Sequence, residues 1–180
     1  MPPDLAHNRP APPMPTRSAI RLLITAGPTH EPIDAVRFIG NRSSGKLGIA
    51  LAEHAAATGW DVRLLLGPTG LAPSDSALCV ERFRTCADLQ DLLRAHAPWA
   101  DVLVMAAAVA DYRPRVSPED LAGKRRRVAG GMTIELESTP DLLAGVASSS
   151  RPGQLLVGFA IEPRAEMLAS ARAKIVRKNV

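Results

Sequence analysis

Aromatic residues are scarce in this chain: three phenylalanines, two tryptophans and one tyrosine make up 3% of its 180 residues. A surface of stacked rings for single-stranded nucleic acid cannot be built from so few. Charge of one sign is also in short supply, since 22 lysines and arginines against 18 aspartates and glutamates leave a net charge of +4. No nucleic-acid partner is therefore expected, and a small anion fits better. Cysteine occurs only at Cys79 and Cys86, without the spacing of a metal site, so both are expected to be reduced thiols of a cytoplasmic protein. Residues 1–18 hold six prolines and lack the continuous apolar run of a secretory signal or membrane span, so a disordered tail is expected there and no membrane.

The remainder, residues 19–180, suffices for one domain with a real core, and 46% of the chain is apolar. Ile20–Ala26, Asp61–Leu66, Leu78–Phe83, Asp101–Ala106 and Leu155–Phe159 read as strands, and Met132–Glu137 alternates as a further one. Helices are expected from near Ser44 to a stop at Gly59, over Ala87–Ala97, from Ser138 through Val146 with Pro140 in the first turn, and over Glu166–Arg177 with Lys178 just past its end. This alternation predicts an α/β, Rossmann-like, doubly wound domain of three layers around a mostly parallel sheet.

Polar residues concentrate in Arg37–Gly48. Arg37, Arg42, Lys46, Ser43, Ser44 and Asn41 lie among Gly40, Gly45 and Gly48, where a loop becomes a helix. The free N–H groups and dipole of a helix start favour an anion, and the glycines let backbone approach a ligand. A phosphate or carboxylate cradle is the reading of these residues. Two generic motifs compete with it. Gly40-x4-Gly45-Lys46 follows a phosphate loop, but Leu47 stands where Ser or Thr would hold magnesium; the dinucleotide fingerprint is met only by its tail, Gly45-x-x-Gly48. A plain Gly-Ser connection with a solvated Lys46 is the remaining alternative.

Three further stretches carry chemistry. The run Ala107–Pro114 follows a strand, and ligands of open α/β sheets bind beyond strand carboxyl ends, where Asp111 can accept hydrogen bonds; a packed junction with a solvated Asp111 is the alternative. Lys124, Arg125, Arg126 and Arg127 repel one another unless solvated or matched to an anion. Pro140-Asp141 starts a helix, for which capping is a sufficient explanation.

The run from Glu31 to Gly48, Glu-Pro-Ile-Asp-Ala-Val-Arg-Phe-Ile-Gly-Asn-Arg-Ser-Ser-Gly-Lys-Leu-Gly, closely resembles the signature of phosphopantothenoylcysteine synthetase, the ligase of coenzyme A biosynthesis. Ala-Ala-Val-Ala-Asp-Tyr-Arg-Pro at 107–114, Pro-Asp-Leu-Leu at 140–143 and Gly-Phe-Ala at 158–160 resemble that family's further blocks, with Glu162 following as its usual acidic residue. The resemblance implies a ligase that joins 4'-phosphopantothenate to cysteine through an acyl nucleotide, with CTP and Mg2+ rather than ATP, as a homodimer. It implies Asn41 as the catalytic residue and Arg37, Ser43, Ser44, Lys46, Ala107 and Ala108 at the substrate. Met105, Ala106, Ala107, Asp111, Lys124, Pro140, Asp141, Leu142, Leu143, Phe159, Lys174 and Lys178 fall at the nucleotide, and no metal ligand is assigned. Many bacterial members carry a flavin-dependent decarboxylase in front, for which residues 1–18 leave no room, so no flavin and a separate decarboxylase are expected. The family's last strands would follow Val180, and Pro28 stands where the family has Gly. The alternatives are a noncatalytic nucleotide-binding or dimerisation remnant and an NAD(P)-dependent oxidoreductase.

Overall fold

A computed structural model describes residues 19–127, 129–161 and 163–178; the expected tail and Glu162 lie outside them. In chain order the elements are β1 (Arg21–Ala26), β2 (His30–Pro32), β3 (Phe38–Gly40), α1 (Lys46–Ala57), β4 (Asp61–Leu66), β5 (Cys79–Arg82), α2 (Cys86–His96), a 3-10 turn (Ala97–Trp99), β6 (Val102–Met105), β7 (Tyr112–Pro114), α3 (Pro118–Ala122), β8 (Leu136–Ser138), α4 (Leu142–Ala147), β9 (Leu155–Gly158) and α5 (Met167–Lys178).

Five strands form one parallel sheet in the order β5-β4-β1-β6-β9. Strand β1 lies at its centre with Leu22, Leu23, Ile24 and Ala26 all buried, as expected of a strand covered on both faces. Its side chains alternate. Leu22, Ile24 and Ala26 pack with Ile49, Ala52 and Ala55 of α1, whereas Leu23 joins Leu89 and Leu93 of α2 and Val146 of α4. The sheet is thus the middle of three layers. Because the chain runs outward from β1 through β4 to β5 and then returns to β6 on the other side, the winding reverses between β1 and β6.

Two short antiparallel hairpins, β2–β3 and β7–β8, stand apart from this sheet, and of their strands β2, β3 and β7 are not legible in the sequence. The expected strand over Met132–Glu137 is corrected to Leu136–Ser138. Its partner gives the reason: β7 ends at Pro114, and after Arg115 N–H donates to the Glu135 carbonyl (2.9 Å) the partner chain turns into α3, capped by Ser117. Pro140 precedes the α4 cap rather than entering the first turn, and Lys178 is the last residue of α5 rather than beyond it. Pro28 makes a parallel bridge to Ala108, using the flanking bonds Thr29 N–H to Ala108 O (3.1 Å) and Ala108 N–H to Gly27 O (2.8 Å). The bridge needs no donor from residue 28, so proline fits there. Among the described residues no helix is long and apolar enough to cross a membrane.

Candidate functional site

The reversal between β1 and β6 opens the crevice where ligands of such sheets bind, and its walls are laced by three buried or half-buried hydroxyls. Thr25 Oγ1 accepts from Ala107 N–H (3.1 Å), Thr29 Oγ1 accepts from Ala110 N–H (3.0 Å), and Thr139 Oγ1 donates to the Ala110 carbonyl. The small residues at 106–110 thus serve first to tie the loop against β1. Among the described residues the N–H groups of Val109 and Asp111 donate to no partner, and the Asp111 carboxylate is exposed beside them. Sequence reasoning missed these threonines; only Thr25, a polar residue inside the apolar strand β1, carries a local signal.

Asn41 reaches the same crevice from the β2–β3 hairpin. Its Nδ2 donates to the carbonyls of Ala108 and Val109, each at 3.1 Å. The next turn is held by glycines at two points. Gly45 caps α1 with φ 74°, a left-handed conformation natural to glycine, and a Cβ on it would meet Gly27 N at 3.2 Å. A Cβ on Gly48 would stand 2.5 Å from the Ala26 Cβ. The approach that these glycines allow is therefore of α1 onto β1, which sets the helix start beside the strand ends. Ser43 Oγ accepts from Gly45 N–H (3.3 Å), while the Ser44 carbonyl accepts from Thr69 Oγ1 (2.7 Å). Arg42 and Lys46 are exposed and form no ion pair with a described residue.

Arg37 sits differently. Its guanidinium is paired with the fully buried Asp34 carboxylate (Nε–Oδ2 2.8 Å) and also donates to the Arg125 carbonyl (2.9 Å). Asp34 Oδ1 accepts from Val36 and Arg37 N–H, and Oδ2 from Arg125 N–H (3.1 Å). The Arg37 side chain and these three backbone donors hold the Asp34 carboxyl well below the usual carboxylate range, although burial opposes it. Arg125 is itself turned back onto Asp120 (2.7 Å), so only Lys124, Arg126 and Arg127 of the cluster are exposed. With Arg37, Gly130 and Met132 the cluster lines a cavity of about 800 Å³.

The remaining blocks meet across α4 and β9. Asp141 caps α4 through Ala144 N–H (3.1 Å) and forms an ion pair with Lys178 (2.9 Å). Burial alone would raise the Asp141 pKa, but the lysine and the capped N–H outweigh it and hold the carboxyl below its ordinary value. Leu142 is buried in the core and Pro140 is exposed. A Cβ on Gly158 would meet Leu143 at 2.6 Å, so Leu143 lies on the end of β9, where Phe159 is 55% exposed. Met105 ends β6 facing the core. Lys174 lies on α5, one turn before Lys178. Neither cysteine forms a disulfide: Cys79 is exposed and Cys86 is buried, its thiol pushed up to about 11 by burial and then by Glu31, whose buried carboxylate accepts Cys86 N–H (2.8 Å).

The motif blocks thus join in a series of direct contacts. Asn41 touches 108–109, Thr139 N–H donates to the Asp111 carbonyl (2.9 Å), Leu143 touches Gly158, Lys178 touches Asp141, and Arg37 touches Arg125. Residues 18–180 match the family described as DNA/pantothenate metabolism flavoprotein C-terminal domain. The coenzyme A biosynthesis bifunctional protein CoaBC of Mycobacterium tuberculosis is 48% identical over 167 residues, 88% of this chain and 40% of that protein. A cysteine/cysteine sulfinic acid decarboxylase of an unknown prokaryotic organism is 43% identical over 160 residues, 89% of this chain and 44% of that protein. This chain therefore spans less than half the length of those two curated relatives. The crystal structure of the C-terminal domain of a coenzyme A biosynthesis bifunctional protein CoaBC superposes with a TM-score of 0.76 at 38% identity, covering 89% of this chain and 74% of that one.

Proposed function

The chain belongs to the DNA/pantothenate metabolism flavoprotein C-terminal domain family, and from that premise we propose that it joins 4'-phosphopantothenate to cysteine at the expense of CTP. The observation that carries the reading is the series of contacts just described: Asn41 and Thr139 bind the 108–111 loop beside the sheet reversal, and the other motif blocks pair with one another. A carboxylate is a poor electrophile at neutral pH. One of its oxygens must attack the α-phosphorus of CTP, breaking the bond to the β-phosphate and releasing pyrophosphate. The amine of cysteine then attacks the acyl carbon, CMP leaves with the former carboxylate oxygen, and the ammonium proton is lost to solvent.

Each group has a place in this scheme. Asn41 is the catalytic residue: with Nδ2 engaged by the Ala108 and Val109 carbonyls, its Oδ1 is turned into a fixed acceptor for an incoming amine. Arg37, Ser43, Ser44, Lys46, Ala107 and Ala108 serve the phosphate and carboxylate of the acid. Met105, Ala106, Ala107, Asp111, Lys124, Pro140, Asp141, Leu142, Leu143, Phe159, Lys174 and Lys178 serve the nucleotide, with the exposed Phe159 ring offered to the base and cations to the triphosphate. Magnesium would enter as the counter-ion of CTP. Homodimerisation, a cytoplasmic location and a decarboxylase that consumes the product belong to the same proposal. Calorimetry with CTP and with NADP tests it. CTP binding with no NADP binding is expected, and the reverse would favour an oxidoreductase.

A further inference from the structure

The buried Asp34 carboxylate has no role in the chemistry above, yet it is the point at which two parts of the site are joined. Its side chain has no exposed surface, and it accepts from two separate stretches of chain: Val36 N–H, Arg37 N–H and the Arg37 guanidinium on one side, Arg125 N–H on the other. Arg37 closes the ring by donating to the Arg125 carbonyl (2.9 Å), and Ala35 N–H donates to the Gly123 carbonyl (3.3 Å). Residues 123 and 125 are therefore pinned on either side of Lys124, which is left exposed at the rim of the cationic cavity. The Arg125 guanidinium is withdrawn onto Asp120.

We propose that Asp34 is a positioning residue that locks the cationic segment 123–127 to the hairpin bearing Asn41, so that the polyphosphate-binding cations and the catalytic amide are set in place together. The inference deepens the ligase reading and rests on it for the identity of the anion. Its physical basis is independent: a buried carboxylate surrounded by donors from both stretches holds them more rigidly than solvated cations could hold themselves. Without it the four adjacent cations 124–127 would repel one another and spread.

The two oxygens have separable jobs, and this makes the idea testable. Asp34→Asn keeps an oxygen that can accept from Val36 and Arg37 N–H, so the local turn survives. It places an NH2 group where Arg37 and Arg125 donate, so the charged part of the lock to segment 123–127 is lost and only the Ala35 to Gly123 backbone bond is left untouched. The measurements are hydrogen exchange by mass spectrometry and calorimetric titration with inorganic tripolyphosphate, on the wild-type protein and on Asp34→Asn and Asp34→Glu. The proposal expects Asp34→Asn to exchange faster across 123–127 with unchanged protection in β1 and β6, and to bind tripolyphosphate about tenfold more weakly, the loss of one charge-assisted contact. Asp34→Glu retains the charge and should fall between the two. Unchanged exchange at 123–127, or unchanged tripolyphosphate affinity in the variant, would overturn the lock; so would faster exchange spread evenly over the sheet, which marks general destabilisation. Failure of the ligase reading would look different, with wild-type protein forming no pyrophosphate while the exchange difference persisted.

Discussion

At the scale of single residues, two substitutions probe the proposed site and the packing beneath it. Asn41→Asp is the sharpest case, because a carboxylate has no donor for the Ala108 and Val109 carbonyls and adds a negative charge where the proposed acyl phosphate would lie. The variant should keep CTP binding, whose cations lie on other elements, but fail to form the amide and accumulate the acyl nucleotide. Single-turnover experiments check this, and amide formation at the wild-type rate would remove Asn41 from the mechanism. Gly48→Ala is a packing test. Its new methyl must share space with the Ala26 Cβ 2.5 Å away, in a core that cannot yield freely, so a loss of about 1–3 kcal/mol in denaturant unfolding is expected. Residue types at these positions were readable in the sequence, but their partners were not. Arg37 reads as an anion binder, and only the fold brings it onto Asp34; a charged residue in a five-residue turn between two strands gives no local sign that it will be buried.

At the scale of elements, ion pairs fasten ends that the sheet alone would leave loose. Asp101, just before β6, accepts from the Arg21 side chain (2.8 Å) and the Arg21 N–H (3.0 Å) at the start of β1, and also pairs with Arg151 ahead of β9. The Arg21 side chain first, then its N–H and Arg151, hold the Asp101 carboxyl far below its ordinary range. A carboxyl depressed in the folded state contributes stability that is complete above the unfolded value, about 3.9, and is lost as pH falls toward the folded value. The difference in denaturation midpoint between wild type and Asp101→Asn should therefore be full at pH 5 and shrink below about pH 4. A constant difference down to pH 2 would show that the charge is not what matters. Long strands such as β4 coincide with their expected limits because a continuous run of buried leucines leaves no other reading. Strands β2, β3 and β7 escape notice for the opposite reason. Three residues ending in Pro32 or Pro114 are too few to show a period, and a pairing is visible only when both strands are in place.

For the whole molecule, the claim is that a parallel sheet with its reversal between β1 and β6 gathers motifs spread from residue 37 to residue 178 into one ligase site. The order of strands is not written locally in the sequence; alternation gives the class of fold, and packing of α1 on one face and α2 with α4 on the other decides the rest. The most direct test is to incubate the purified chain with CTP, magnesium, 4'-phosphopantothenate and cysteine, and to measure products by mass spectrometry. The account predicts phosphopantothenoylcysteine, CMP and pyrophosphate in equal amounts, with no amide when CTP is omitted. CTP bound but never cleaved, in the presence of both other substrates, would contradict it.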